Sequence, residues 1–198
     1  MKYLIGIIAV FVWLYLLHVT DRAKLPFWHY ILGAMGLFLL MMFYVRPVLT
    51  EPLARAVAAL AGLVGKITGT FSPFFKYGIL FVQSDVGAIT LQIDFECSGI
   101  LEIMAFVSLV AFFRAYTVYE RVVVGILGTF YIIFANALRI IAICVIIYIW
   151  GMPSYYVAHT FIGRLIFYGL SVLLYFFVFT KTQIVRQKVG GFTYGTDK

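Results

Sequence analysis

The sequence predicts an all-α polytopic membrane protein: about five transmembrane helices, an interfacial helix and a short β-hairpin on the outer face. Three observations carry this. Hydrophobic residues fill 64% of the 198 positions and charged residues only 12%, whereas a soluble domain carries roughly 25% charged residues. The apolar runs are long enough to cross a hydrocarbon core about 30 Å thick. Charges cluster between those runs, which lack the two-residue alternation of an outer-membrane barrel. The chain reads as one membrane domain. Two N-terminal spans fill 1–46, an outer interfacial helix and hairpin 47–96, a three-helix core 97–180 and a cytoplasmic tail 181–198.

The net charge of +7 fits the positive-inside bias of short cytoplasmic loops and needs no nucleic acid. The first span, 3–17, has one leading Lys and no small-residue cleavage site, so it reads as retained rather than as a signal peptide. A polar loop with His18, Asp21, Arg22 and Lys24 leads to the second span, 28–45. His18 and His29 flank this loop and read as interfacial anchors. Pro47 and Pro52 then break the chain, and Thr50-Glu51-Pro52 opens an Ala/Gly-rich helix over 53–68. Its modest hydrophobicity and Lys66 place it on the outer surface. A true span is the rival, and the count of basic residues on the two sides leans slightly that way.

Short β-type runs at 78–82 and 88–93 flank the turn composition Gln83-Ser84-Asp85-Val86-Gly87. An exposed hairpin cannot sit in hydrocarbon, so it belongs at the interface. Helices over 98–113, 122–150 and 155–180 follow, joined by the loop from Arg114 to Arg121 and the turn Gly151-Met152-Pro153-Ser154. That loop and the basic tail with Lys181, Arg186 and Lys188 read as cytoplasmic, leaving Cys97 and the Gly151 turn outside.

Cys97 stands where the hairpin ends and an apolar helix begins. Orphan N–H groups and the helix dipole stabilise negative charge there, which suits a thiolate nucleophile. At about 1.5 Å per residue, Cys97 and Arg139 both stand about 26 Å above the Arg114–Arg121 loop. Arg139 and His159 flank the Gly151 turn at similar heights. Sulfur, guanidinium and imidazole thus share one level on three consecutive helices. Each has a plainer reading: packing for Cys97, an interfacial anchor for His159, snorkelling for Arg139. Arginine inside a span costs roughly 2.5–3.5 kcal/mol on insertion scales and needs a partner or a purpose. Asn136 shares its face as a candidate orienting group, Glu102 is a candidate counter-ion, and Arg164 competes for it. Arg164, five residues after His159, falls on a different helix face and reads as structural. Cys144, flanked by Ile143 and Val145, reads as packing, and no disulfide with Cys97 is expected. In this set Cys97 attacks a carbonyl, His159 moves the proton and Arg139 stabilises the oxyanion.

At these residues the sequence resembles the exosortase/archaeosortase family of membrane cysteine transpeptidases. The matching pieces are Glu96-Cys97-Ser98-Gly99-Ile100, then Asn136-Ala137-Leu138-Arg139-Ile140, then His159 at the start of the last helix. The likeness covers roughly 47–180 and is greatest to the compact Gram-positive G-type exosortases. It implies a catalytic triad of Cys97, Arg139 and His159; Ser98, Asn136 and Glu102 are this reading's supporting candidates. It implies substrates that are exported proteins whose C-terminal sorting signal joins a short motif, a membrane helix and a basic tail. Cleavage would occur at the outer face of a prokaryotic plasma membrane, with transfer through a thioester to an acceptor. No cofactor or metal is expected. The alternatives are a small membrane transporter, with Arg139, Glu102 and His159 lining a polar path, or a non-catalytic membrane assembly factor.

Overall fold

The computed structural model describes residues 2–74, 77–84, 87–93, 95 and 97–184. The turn residues Asp85 and Val86, Glu96, and the tail residues Arg186 and Lys188 lie outside the described residues. The elements are α1 (Lys2–Arg22), α2 (Pro26–Tyr44), α3 (Arg46–Thr68), β1 (Phe71–Phe74), β2 (Ile79–Ser84), β3 (Gly87–Gln92), α4 (Ile100–Phe112), α5 (Val118–Trp150) and a long final helix, α6 (Met152–Ile184). Four of these helices, α2, α3, α5 and α6, are long and apolar enough to cross a membrane. The protein is an all-α polytopic membrane protein with a small sheet at one end.

Several boundaries differ from the sequence reading, each for a local reason. Helix α3 starts at Arg46 rather than after Pro52, because Pro47 takes the first-turn position where a missing N–H costs nothing. Pro52 lies inside α3. Helix α5 starts four residues early: Thr117 accepts from the Glu120 N–H at 3.4 Å, and Glu120 accepts from the Thr117 N–H at 2.7 Å, a capping box. The hairpin gains a third strand. β1 pairs antiparallel with β2, Phe71 opposite Val82 and Phe74 opposite Ile79, and β3 pairs on the other side of β2. Pro73 sits in β1, at the sheet edge, where proline is tolerated.

The two ends of the bundle differ in character. Arg114 pairs with Asp21 at 3.4 Å, so the α1–α2 and α4–α5 connections lie side by side. The Tyr116 hydroxyl donates to the Val178 carbonyl at 2.6 Å, which brings the end of α6 to the same place. This end gathers Arg22, Lys24, Arg114, Arg121 and Lys181. Near it, Phe106, Val110, Ile132 and Phe167 form a core between α4, α5 and α6. Gly128 permits the close approach of α4 and α5, since a Cβ there would fall 2.1 Å from the Phe106 ring. Outward faces carry exposed Phe11, Phe43, Phe130, Leu165 and Val172, as a lipid-facing surface requires.

The far end holds α3 and the sheet. Val57, Ala58 and Ala61 of α3, with Leu80 and Val82 of β2, pack on Ala137, Ile143 and Ile147 of α5. These α5 residues belong to its second half, away from the Arg114–Arg121 loop. Helix α3 therefore lies against the half of the bundle that carries the sheet. By its length of 23 residues, and by a mean hydropathy of 1.4 over its most apolar 18-residue stretch, it also qualifies as a span.

Candidate active site

Cys97 lies in a turn between the sheet and α4, and the local sequence fixes that turn. Gly99, immediately before α4, has φ = 80°, a left-handed conformation that glycine adopts without penalty. Ser98 is fully buried; its hydroxyl donates to the Phe95 carbonyl at 2.9 Å and accepts the Ile100 N–H at 3.4 Å, satisfying an orphan donor of α4. The Arg46 guanidinium covers the Phe95 ring at 4.1 Å and ties the turn to the start of α3. Asn136 donates from Nδ2 to the Cys97 carbonyl at 2.6 Å. The sequence reading made Asn136 an orienting group for Arg139. Its side chain instead crosses from α5 to the turn before α4 and holds the backbone of Cys97.

Three side chains converge as their predicted depth requires. Cys97 Sγ is 3.2 Å from His159 Nε2, and Arg139 Nη2 is 3.9 Å from the same sulfur. Cys97 is 8% exposed and Arg139 6%, so the contact is made in a largely water-excluded place. The His159 ring stacks on Tyr155, 5.6 Å between centroids and 19° between planes. The Arg139 guanidinium lies 5.8 Å from the centre of the Phe167 ring. Tyr155 was not singled out from sequence, although an aromatic four residues before a helical histidine is a signal for such a stack.

Glu102 departs from expectation. It lines the same cavity of about 280 Å³ as Cys97, Arg139 and His159, but forms no ion pair with Arg139. Among the described residues, Arg139 Nε and Glu102 Oε2 are both buried without a hydrogen-bond partner. Thus Arg139 directs its terminal nitrogen to sulfur rather than to a carboxylate. Arg164 also departs: it lines this cavity instead of facing away. The cause is a π-helical turn over Ala158–Ile162, in which the Gly163 N–H bonds back to the Ala158 carbonyl. An i→i+5 turn brings residues five apart towards one face, whereas an α-helical turn separates them. Cys144 is a fully buried free thiol in the core of the distal end, away from this constellation.

A thiol in contact with an imidazole, beside a buried arginine at one end of a membrane helix bundle, defines a candidate membrane-embedded cysteine nucleophile. The chain belongs to the transmembrane exosortase family, whose model matches residues 2–177. No curated protein and no solved structure matches the chain.

Proposed function

We propose that the protein is a membrane cysteine transpeptidase that cleaves the C-terminal sorting signals of exported proteins and transfers them to an acceptor. The observation that carries this reading is the 3.2 Å contact between Cys97 Sγ and His159 Nε2 with Arg139 Nη2 beside the sulfur. The substrate's membrane helix docks beside α4–α6, with its motif at the distal end, outside a prokaryotic plasma membrane. The compact Gram-positive G type is the subtype this reading favours.

Cys97 Sγ gives its proton to His159 and attacks the scissile carbonyl carbon. The oxyanion that forms faces the Arg139 guanidinium, a cation fixed in a site of low dielectric. Collapse breaks the C–N bond, His159 returns its proton to the leaving amine, and a thioester to Cys97 remains. An acceptor nucleophile then loses a proton to His159, attacks the thioester carbonyl and expels the sulfur. An amine, lipid or sugar acceptor gives transfer; water gives proteolysis. Asn136 and Ser98 keep the Cys97 turn rigid through both steps.

The test is Cys97→Ala in cells that make the protein. Uncleaved precursors of exported proteins bearing a motif, membrane helix and basic tail are expected to accumulate, with the variant at its usual membrane level. Unchanged processing would remove Cys97 from the chemistry and the proposal with it.

A further inference from the structure

Strand β3 lies at the edge of the sheet, and its free side opens onto the cysteine. The hydrogen-bond parity of the hairpin can be read from two facts. The Ile93 N–H bonds to the Gly78 carbonyl at 2.9 Å, and β2 and β3 are paired Leu80 with Leu91 and Val82 with Ile89. In an antiparallel ladder, directly hydrogen-bonded pairs alternate with pairs whose N–H and C=O groups point away. Ile93, Leu91 and Ile89 therefore bond inward to β2, and Thr90 and Gln92 direct their main-chain groups outward. Both are exposed, and neither main chain finds a partner among the described residues.

This edge lines a cavity of about 140 Å³ that it shares with Cys97, Tyr155 and His159. Leu80, Leu91, Ile140 and Ile143 supply an apolar floor. Unpaired edge groups in a row match one chemistry well, the main chain of an extended peptide.

We propose that the substrate's recognition segment binds as an added strand on the free edge of β3, between β3 and the start of α6. Its backbone pairs with Thr90 and Gln92, an apolar side chain fills the floor, and its scissile carbonyl arrives at Cys97. This deepens the transpeptidase reading and rests on it. It makes backbone pairing the main source of affinity, with alternate side chains of the segment facing the pocket.

The test uses the full-length protein in detergent micelles, with alkylation of Cys97 read by mass spectrometry. Four kinds of probe are compared: iodoacetamide, acetyl chloromethyl ketone, an apolar tetrapeptidyl chloromethyl ketone, and versions of that peptide N-methylated at one amide each. The plain peptide is expected to alkylate Cys97 faster than acetyl chloromethyl ketone does. N-methylation at alternate amides should slow it by about tenfold, the worth of one good hydrogen bond, and leave the intervening amides tolerant. Thr90→Pro should slow the plain peptide similarly with the iodoacetamide rate unchanged, since proline is tolerated where an edge N–H points outward. Equal sensitivity at every amide, or at none, overturns strand addition. Alkylation by iodoacetamide without any gain from the peptide overturns it too and leaves the nucleophile standing. No alkylation of Cys97 by any probe overturns both readings.

Discussion

Arg139 is the residue whose placement costs most and says most. A buried guanidinium in a span is retained against roughly 2.5–3.5 kcal/mol of insertion cost, and here its Nη2 reaches the Cys97 sulfur at 3.9 Å. Lysine would keep the charge but lose the planar fork that approaches sulfur and faces Phe167 together. Arg139→Lys is therefore expected to lower the rate of thioester formation by about 10²-fold or more, the scale of a lost oxyanion donor. Single-turnover kinetics would measure it, and a near-normal rate would count against the role. Asn136→Ala acts differently. It removes the bond that Asn136 donates to the Cys97 carbonyl, at a cost of about 0.5–1.5 kcal/mol. A lowered Tm in detergent checks this. Cys97, Arg139 and His159 were legible because helical rise fixes depth, and three charged or nucleophilic groups at one depth are conspicuous in an apolar chain. Asn136 was misjudged because spacing along one helix says which residues share a face. It does not say which neighbour across the bundle a side chain will reach.

The π-helical turn at Ala158–Ile162 is the element on which the alignment of His159 depends. It places His159 against Cys97 and Arg164 on the same cavity. Inserting an Ala after Thr160 would add a residue that the existing turn does not absorb and rotate one of these by about 100° relative to the other. The insertion variant is expected to insert and accumulate normally but lose Cys97-dependent processing, while Thr160→Ala retains most of it. Equal processing by both variants would show that the turn is incidental. Close packing between α4 and α5 is the second requirement at this scale. Gly128→Leu would drive a side chain into the Phe106 ring, separate the helices and lower Tm, as overpacking typically costs about 1–3 kcal/mol. The sequence reading assumed 3.6 residues per turn throughout, so it could not see the π turn. It also passed over Thr117-Val118-Tyr119-Glu120, a capping box written plainly in the chain, and the short edge strand around Pro73.

At the scale of the molecule, the basic loops gather at one end and the cysteine site, sheet and α3 at the other. The positive-inside rule favours a cytoplasmic basic end, and the outward-facing site belongs to the proposal. Single cysteines introduced at Val48 and Thr68, near the two ends of α3, are expected to react from the same outer side with an impermeant maleimide on intact cells. Reaction from opposite sides would make α3 a span and reverse α1 and α2. The overall class was legible from hydropathy alone. The placement of α3 was not, because 23 moderately apolar residues fit either a surface or a span; its packing on the second half of α5 and the Arg114–Asp21 pair are what the structure adds.

The most direct measurement is mass spectrometry of the Cys97 peptide from membranes quenched in acid during turnover. The account predicts an acyl adduct on Cys97 that hydroxylamine removes and that is absent from His159→Ala. An unmodified Cys97 under conditions where sorting signals are being cleaved would contradict it.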